Sequence, residues 1–548
     1  TEEEQNARWA EHFKEVLNQP EPPALIDFTG IANQDTLDVD LGEITEEEIT
    51  RAIKSLKNGK SPGEDMIAPE MMKHGGQLIT DQFRKLFNLI WTQEAVPNDW
   101  QKGSLVKLPK KGDLGNCNNW RGITLLSIPG KVFCSTMLNR IKTALDVKLR
   151  EEQAGFRSGR SCSEQIFILR NIIEQCNEYN IKNYINFVDF KKAFDSVHRE
   201  TVWKIMAHYG IPQKVINITK KLYEHSSCRV RTNSGHTEYF DIVTGVRQGC
   251  ILSPTLFLLT IDFVMRRATN RDDFGIEWGN GRLTDLDFAD DLAMLSTSGT
   301  TLQDMTDNLS NIASNVGLRI SSEKTKVMAV KDDQLLYISI NQQQTEQVNN
   351  FTYLGSQITS NGDTNPDIHA RLGKARSIFR RSSSTWTSNH ISLKTKCKLF
   401  KSLVISVATY ACETWKVTEG QAHTIDTFQQ QCLRRITKTS WRDHITNRAI
   451  LQRTDSEQLS VTLEKRRLKL LGHVVRMPRH RHASTALDWT PPGGRRRRGR
   501  PVNTWRRTLT KDLERRGLTW ERARTLALDR ENWRSFAAAQ CPPQGRRN

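Results

Sequence analysis

The sequence lacks long hydrophobic runs. Its 548 residues contain no apolar stretch near the ~20 residues that a transmembrane helix needs, and the first residues do not form a secretory signal. We therefore expect no membrane partner. The chain is too long for one compact core, which predicts roughly three or four structural units. Because it begins at Thr1 in a charged, helix-like segment, we expect a fragment of a longer protein.

Cysteine is sparse and scattered. The ten cysteines form no C-x-x-C pair and lack the dense, even spacing of a secreted disulfide scaffold. A reducing compartment is the simpler expectation. Wide gaps also argue against a zinc site among four cysteine and histidine residues. The residues concerned are Cys412, His423, Cys432 and His444.

Acidic charge is concentrated at the N-terminus. Residues 1–50 carry 2 basic and 14 acidic side chains, whereas residues 441–548 carry 26 basic and 10 acidic ones, and the net charge of the chain is +18. Basic surfaces bind polyanions because neutralised phosphates release counterions. The balance therefore indicates a nucleic acid partner.

Helical and strand patterns alternate after about residue 41. Thr45 and Glu48 form a capping-box pattern before the apolar spacing of an amphipathic helix. Helices and short apolar strands alternate to about residue 330, which predicts an α+β domain. Residues 331–360 resemble paired strands. Helical spacing then recurs, predicting a mostly helical unit, in Asp367 to Arg381, Lys394 to Thr409 and Thr424 to Ile436.

Two adjacent carboxylates, Asp290 and Asp291, interrupt an apolar run from Leu286 to Leu295. Successive strand residues point to opposite faces, so a strand-turn-strand with the pair at its turn can direct both side chains to one site. Mg²⁺ suits such a pair because it takes oxygen ligands and bridges carboxylates to phosphates. The alternative for this motif alone is an ordinary turn.

A third carboxylate, Asp189, follows the apolar strand pattern of Tyr184 to Val188. Three carboxylates around one cleft can bind two divalent metals about 3.5 to 4 Å apart. For Asp189 alone, a helix N-cap is the alternative role. Between the carboxylates, Gln248 supplies donor and acceptor groups and Gly249 permits close backbone approach. The order of these three motifs is far more specific than any one of them.

These ordered blocks resemble the reverse transcriptases of non-LTR (LINE-type) retrotransposons over about residues 41–360. The phrases that carry the resemblance are FVDFKKAFDSV, GVRQGCILSPTLF and FADDLAML. Further similar blocks are 108–113, 118–125 and 153–157 of the fingers, 317–325 of the palm and 351–355 of the primer-grip hairpin. LLGHVVRM and GRPVNTW are most similar to the RTE-type branch.

The resemblance implies an α+β right-hand polymerase with fingers and palm, a helical thumb and a basic, mostly helical C-terminal region. The implied parts are an N-terminal helix and acidic linker (1–40), fingers and palm (41–360), a helical thumb (361–440) and a basic nucleic-acid-binding region (441–548). RTE-type members carry an upstream endonuclease domain, which is not visible in this sequence. We therefore do not expect nicking activity from this chain.

The resemblance also implies roles for individual residues. Asp189, Asp290 and Asp291 would form the catalytic triad and bind two Mg²⁺ ions, with Mn²⁺ as a substitute. The backbone at Phe190 would help to hold the triphosphate. Phe194 would be the steric gate against a 2′-hydroxyl, with an aromatic core residue as the alternative.

Other implied roles lie around the triad. Lys110 and Arg121 would neutralise the triphosphate, although Lys107 and Lys111 compete with Lys110. Lys324 is the candidate general acid for pyrophosphate, with a solvated surface lysine as the alternative. Gln248 and Gly249 would pack against the incoming nucleotide and the template. The primer grip would be formed by Tyr353, Leu354 and Gly355.

The implied activity is RNA-directed DNA polymerisation, in which a DNA 3′-hydroxyl at a nicked target is extended with dNTPs on an RNA template by two-metal nucleotidyl transfer. We expect nuclear action on target DNA and cytoplasmic assembly with RNA. The alternatives are an inactive or co-opted nucleic-acid-binding protein that keeps the fold, and an intron maturase.

The basic C-terminal region has two interpretations. It is either a solvated arm or a grip on RNA or target DNA in which tryptophans offer stacking faces, although five tryptophans in this region favour at least one folded piece. These tryptophans are Trp441, Trp489, Trp505, Trp520 and Trp533. The run Arg495 to Arg500 is alternatively a nuclear-localisation patch. The region lacks the compact Cys/His knuckle of several LINE families.

Overall fold

The structure is a computed structural model that describes residues 1–110, 112–233, 235–496 and 498–539. Lys111, Arg497 of the arginine run and Cys541 lie outside the described residues. Within these ranges, no helix combines the length and apolar character needed to cross a bilayer.

The α-helices are α1 Glu2–Leu17, α2 Glu46–Ser55, α3 Pro69–His74, α4 Gly76–Gln93, α5 Ile128–Lys148, α6 Cys162–Tyr179, α7 Ala193–Ser196, α8 Arg199–His208, α9 Gln213–Tyr223, α10 Ser253–Ala268, α11 Gly299–Ser314, α12 Asn365–Arg381, α13 Ser383–Thr387, α14 Leu393–Leu399, α15 Ser406–Ala408, α16 Glu419–Ile436, α17 Asn447–Arg453, α18 Leu459–Val475, α19 His482–Asp488, α20 Trp505–Glu514, α21 Trp520–Leu528 and α22 Arg530–Ala538. A π-helical segment, Phe400–Ile405, joins α14 to α15. The predicted capping box of Thr45 and Glu48 at the start of α2 is confirmed.

The strands are β1 Lys102–Pro109, β2 Trp120–Leu125, β3 Asn183–Val188, β4 Ser227–Val230, β5 Phe240–Asp241, β6 Ile276–Trp278, β7 Gly281–Leu283, β8 Asp285–Phe288, β9 Asp291–Ser296, β10 Lys326–Val330, β11 Ser339–Ile340, β12 Gln343–Gln344, β13 Glu346–Gln347, β14 Asn350–Tyr353 and β15 Ser356–Thr359. Two larger sheets organise the α+β part. The central sheet has the order β13-β10-β3-β9-β8, and the outer sheet has the order β2-β1-β4-β5.

The central sheet is buried on both faces, and β3 shows why. Strand side chains alternate between faces, so Tyr184 and Val188 join the hydrophobic core that contains α8, α10 and α11. Ile185 and Phe187 join a second core with α6 and the C-terminal helices. A strand with two apolar faces explains the continuous run that precedes Asp189.

The N-terminal helix α1 belongs to the outer sheet. Trp9 and Phe13, four residues apart on one helix face, pack in a cluster with Leu105 and Val230 of that sheet. The expected linker after α1 has no helix or strand up to residue 45. It is nevertheless anchored, because the Leu37 amide donates to the Gly210 carbonyl at 2.7 Å.

The predicted helical unit after residue 361 has its own core. Its helices α12, α14 and α16 lie in the three segments with helical spacing, although the segment Lys394 to Thr409 is split by the π-helical segment. The core continues past the expected boundary at residue 440, since Ile450, Leu459 and Leu463 pack into it. The unit therefore includes α17 and the start of α18.

The C-terminal helices pack on the second face of the central sheet. The side chains of Trp489, Trp505 and Trp533 are buried there. The interpretation as a solvated arm is therefore wrong for this folded part. The prediction that these three rings offer stacking faces is also wrong, because burial leaves no ring face open. Trp520 packs partly against the same core. In contrast, Trp441 is 77% exposed.

Candidate active site

The carboxylate pair lies at a tight turn between β8 and β9. Phe288 pairs with Asp291, which leaves Ala289 and Asp290 as the two turn residues. The strand-turn-strand predicted from the sequence is confirmed. Ala289 has a left-handed φ of 57°, a conformation that is unfavourable for a residue with a Cβ atom. The surrounding structure must therefore hold this turn.

Gln153 holds the turn. Its buried Oε1 accepts hydrogen bonds from the Ala289 amide at 2.8 Å and the Gly155 amide at 2.7 Å, and its Nε2 donates to the Ala289 carbonyl at 3.2 Å. A Cβ atom added at Gly155 would lie 2.2 Å from the Ala289 nitrogen. The block 153–157 thus holds the turn that carries Asp290.

Asp189 follows β3 and faces the same site. Its carbonyl accepts from the Ser321 amide at 2.8 Å, and its amide donates to Thr325 Oγ1 at 3.3 Å. The exposed Lys324 places Nζ 3.4 Å from Asp189 Oδ1. The segment before β10 therefore positions both Asp189 and Lys324.

The three carboxylates form one electrostatic group. Burial raises the pKa of Asp290, Asp189 raises it further, and Arg121 and Lys324 oppose the rise. Asp291 has an exposed edge, but partial burial of its carboxylate is the largest cause that raises its pKa to about 6. The negative charges of Asp290 and Asp189 raise this pKa further. The residues that the sequence places far apart thus act on one another.

The donor set fits divalent metal. It offers only oxygen ligands, which Mg²⁺ and Mn²⁺ prefer. The pKa values of Asp290 and Asp291 are raised first by burial and then by the neighbouring carboxylates, and a cation would offset that negative charge. In the described part of the chain, no group of three or more His, Cys, Asp or Glu side chains converges closely enough to hold a metal ion. Like charges repel, and a bound cation would offset the repulsion among these carboxylates. Metal binding by Asp189, Asp290 and Asp291 stays a prediction.

The candidate steric gate, Phe194, lies half-buried beside the turn. Its ring stacks on Phe257 with centroids 4.4 Å apart, and the half-exposed ring of Phe156 meets it edge-on at 6.2 Å. The Val246 amide donates to the Phe194 carbonyl at 2.8 Å. One part of Phe194 is therefore a core contact while the rest is accessible, and its role as a steric gate stays a prediction. Phe190, by contrast, is buried, which leaves only its backbone for a triphosphate.

Gln248 and Gly249 are joined to β2. The Thr124 amide donates to the Gln248 carbonyl at 2.8 Å, and a Cβ atom added at Gly249 would lie 2.2 Å from the Thr124 oxygen. The close approach that Gly249 permits is therefore to the outer sheet. The Gln248 side chain donates from Nε2 to both carboxylate oxygens of Asp195, at 3.0 and 3.1 Å.

Cations from the outer sheet face the same region. Arg121 is exposed on β2, and Lys110 donates from Nζ to the Asn118 carbonyl at 3.2 Å. Burial lowers the pKa of Lys110, and the nearby charges of Arg121 and Lys324 lower it further. Lys107 instead lies 4.6 Å over the Trp9 ring, which favours Lys110 for a phosphate contact. The other competitor, Lys111, is among the residues not described.

The predicted primer-grip hairpin is β14 and β15 with a turn at Leu354 and Gly355. The Tyr353 side chain is buried and donates from its hydroxyl to the Leu286 carbonyl of β8 at 2.9 Å. A direct primer contact through that side chain is therefore wrong, because the ring lies in the core. Tyr410 donates to the Leu354 carbonyl at 2.9 Å. The primer-grip role of the hairpin stays a prediction.

Sequence reasoning missed two supporting residues. Asp195 stands within the phrase FVDFKKAFDSV and Gln153 within the block 153–157, but neither was given a role. The available signal for Asp195 was that it is the charged residue within α7, whose four residues are AFDS. No local signal marked Gln153, whose partner Ala289 is 136 residues away.

The fold and the site together define a class of protein. Three carboxylates at the ends of β3, β8 and β9, with cations from a second sheet facing them, make an arrangement suited to the metal-dependent transfer chemistry of a nucleic acid polymerase. Comparison is more specific, because residues 108–358 match the family described as reverse transcriptase (RNA-dependent DNA polymerase). The chain belongs to this family, among the reverse transcriptases of non-LTR retrotransposons. The resemblance found in the sequence is thereby confirmed.

Three relatives illustrate the comparison. A transposon-derived protein of Caenorhabditis elegans is 30% identical over 46% of this chain and 95% of its own length. The Pol polyprotein of a type-2 retrotransposable element of Drosophila melanogaster is 24% identical over 64% of this chain and 33% of its own length. The RNA-directed DNA polymerase from the mobile element jockey of the same species is 24% identical over 73% of this chain and 44% of its own length. The chain thus spans less than half of these last two relatives.

Proposed function

We propose that this chain is an RNA-directed DNA polymerase that extends a DNA 3′-hydroxyl on an RNA template with dNTPs, as in target-primed reverse transcription. The observation that carries the proposal is the electrostatic group of Asp189, Asp290 and Asp291 on the central sheet of a reverse transcriptase family member. A binding protein has no need of three carboxylates at one cleft, since they repel nucleic acid phosphates.

Side chains around the group have complementary tasks. Arg121 and Lys110 hold the triphosphate, because a guanidinium binds phosphate bidentately and an ammonium adds a point charge. Lys324, exposed beside Asp189, donates a proton to the departing pyrophosphate. The accessible part of Phe194 excludes a 2′-hydroxyl by steric contact.

Mg²⁺, when bound by the three carboxylates, supplies charge neutralisation for the phosphates. The helical unit that includes α12 and α16 acts as the thumb, and the basic C-terminal helices bind RNA or target DNA. We also propose that the chain belongs to the RTE-type branch and that a separate domain nicks the target DNA. The protein assembles with its RNA in the cytoplasm and acts on target DNA in the nucleus.

The test is primer extension by the purified chain on a DNA-primed RNA template with Mg²⁺. The wild type should incorporate dNTPs, and Asp290→Asn should lower the rate at least about 100- to 1,000-fold, the typical loss for one group that stabilises transition-state charge. Asp304→Asn is the matched control, because Asp304 is exposed on α11 and pairs with Arg271.

Each outcome has a defined meaning. Incorporation that persists in Asp290→Asn contradicts the metal assignment. A wild type that binds primed template but never extends it favours the inactive binding protein. Extension that requires the chain's own structured intron RNA favours a maturase.

A further inference from the structure

Asp195 is a buried carboxylate for which the proposed mechanism has no use. Its residue is 7% exposed and follows the candidate gate Phe194 directly. A Cβ atom added at Gly245 would lie 2.6 Å from the Asp195 backbone, and Thr244 Oγ1 donates to the Asp195 carbonyl at 3.1 Å. The backbone is thus held on two sides. A buried carboxylate in a fixed place requires hydrogen-bond donors.

The donor is the side-chain amide of Gln248. Nε2 lies 3.0 Å from Oδ1 and 3.1 Å from Oδ2 of Asp195. An ionised carboxylate only accepts hydrogen bonds, so the amide must turn its nitrogen toward Asp195 and its oxygen away. A glutamine without such a partner can flip its amide. Asp195 therefore determines which end of the Gln248 amide faces outward.

The outward amide oxygen is available for a ligand. Gln248 is half-buried, and among the described residues no donor lies within hydrogen-bond distance of its Oε1. The Gln248 backbone is held by Thr124 on β2, the strand that carries Arg121. On its other side, Asp195 connects it to Phe194. The acceptor thus lies between a phosphate-binding cation and a sugar-contacting ring.

We propose that Asp195 is a positioning residue that keeps Gln248 Oε1 directed into the cleft, where this oxygen accepts a hydrogen bond from a sugar hydroxyl of the substrate. The inference rests on the proposed function and deepens it. Two sugar hydroxyls fit this chemistry, namely the 3′-hydroxyl of the incoming nucleotide and a 2′-hydroxyl of the RNA template.

Asp195→Asn tests the proposal. Asparagine keeps the shape of aspartate but can donate as well as accept, so it permits the Gln248 amide to flip. KM and kcat are measured for a dNTP and the matching 2′,3′-dideoxynucleotide, on RNA and DNA templates of one sequence. If the nucleotide supplies the hydroxyl, KM for the dNTP should rise about 3- to 10-fold, as expected for one hydrogen bond, while KM for the dideoxynucleotide is unchanged.

If the template supplies the hydroxyl, the same rise should appear on RNA but not on DNA, with either nucleotide. Both selective patterns support the proposal. An equal loss with all substrates indicates a merely structural role and overturns it, as does no change at all. Gln248→Met removes the acceptor and should reproduce the selective pattern even if Asp195→Asn fails to fold.

A double-mutant cycle tests whether Asp195 acts through Gln248. In the Gln248→Met background, Asp195→Asn should have no further effect on KM for the dNTP, and an additive loss would contradict the proposal. A wild type without incorporation overturns the proposed function together with this inference. An active wild type with an unchanged Asp195→Asn variant overturns the positioning role alone.

Discussion

Single residues in the cleft divide into those that face the substrate and those that hold them in place. Asp290 and Phe194 are proposed for the first kind, whereas Gln153 and Asp195 hold neighbouring groups in place. The supporting residues are the more deeply buried, because a polar group that fixes a neighbour must itself be fixed by packing and hydrogen bonds. Asp195 illustrates the cost of this arrangement. Burial, the largest cause, raises its pKa to about 6, although Gln248 and nearby cations favour the charged form.

Asp195→Asn should stabilise the fold at neutral pH. A carboxyl with a pKa near 6 in the folded state and an ordinary value near 3.8 in the unfolded state favours unfolding once the unfolded chain ionises. The contribution of Asp195 to the free energy of unfolding therefore falls as pH rises from about 4 to 6, by up to roughly 3 kcal/mol. The increase in the free energy of unfolding caused by Asp195→Asn should be present above pH 6 and absent below pH 4.

Urea unfolding of both proteins at pH 4 and pH 7.5 measures this difference. Asp304→Asn, on the surface, should show no such dependence. A gain that is the same at both pH values would contradict the burial of an ionised Asp195 as its cause.

Two hairpins decide the site at the scale of secondary-structure elements. The β8–β9 hairpin carries the carboxylates. The β14–β15 hairpin packs on the same sheet, because Tyr353 donates to the Leu286 carbonyl of β8 and the Phe351 ring stacks on Phe187 of β3 with centroids 4.2 Å apart. On the other side, Gly155 touches the turn directly. The carboxylates are thus aimed by rigid neighbours and not by their own strands alone.

Gly155→Ala should inactivate the enzyme while it keeps its fold. The added Cβ atom would lie 2.2 Å from the Ala289 nitrogen, so the turn that carries Asp290 must move. A displacement of about 1 Å in a catalytic group costs about 100-fold in rate. Primer extension measures the loss.

The matched control is Gly373→Ala in α12, where an added Cβ atom meets nothing within 4 Å. This helical substitution should leave the extension rate unchanged and stabilise the fold by about 1 kcal/mol. Full extension activity in Gly155→Ala would show that the turn tolerates the shift and would remove Gly155 from the supporting residues.

Across the whole molecule, the C-terminal helices complete the second face of the central sheet. Trp505 is 1% exposed and packs edge-on against Phe167 of α6, with centroids 4.7 Å apart. Its backbone amide donates to Glu174 at 2.8 Å, and its indole N–H donates to the Glu413 carbonyl at 2.7 Å. One residue thus joins the C-terminal helices, the palm and the helical unit.

Trp505→Ala should destabilise the whole chain by about 3–5 kcal/mol, because it opens a large cavity in a shared core. Trp441→Ala is the matched control. Its ring is 77% exposed, so stability should change by less than about 0.5 kcal/mol. Thermal unfolding checks both. Equal effects of the two substitutions would contradict the shared core.

Local chemistry made much of the site predictable. Apolar runs that end in Asp189 or surround Asp290 and Asp291 reveal buried strands with charged ends, and capping residues reveal where helices begin. These signals lie within a few residues of the groups that they describe. For that reason the α+β class, the hairpin that carries Asp290 and Asp291, and the helical unit after residue 361 were all predicted.

Long-range packing was not predictable in the same way. Whether Trp505 stacks on a base or fills a core depends on partners more than 300 residues away, and the same indole suits both roles. Tyr353 lies in the predicted primer-grip block, but its side chain is buried and donates to the Leu286 carbonyl. Asp195 acquires its role only when Gln248 folds against it. Amino-acid type sets which chemistry a residue can perform, whereas burial and orientation, which arise from contacts distant in sequence, set which chemistry it does perform.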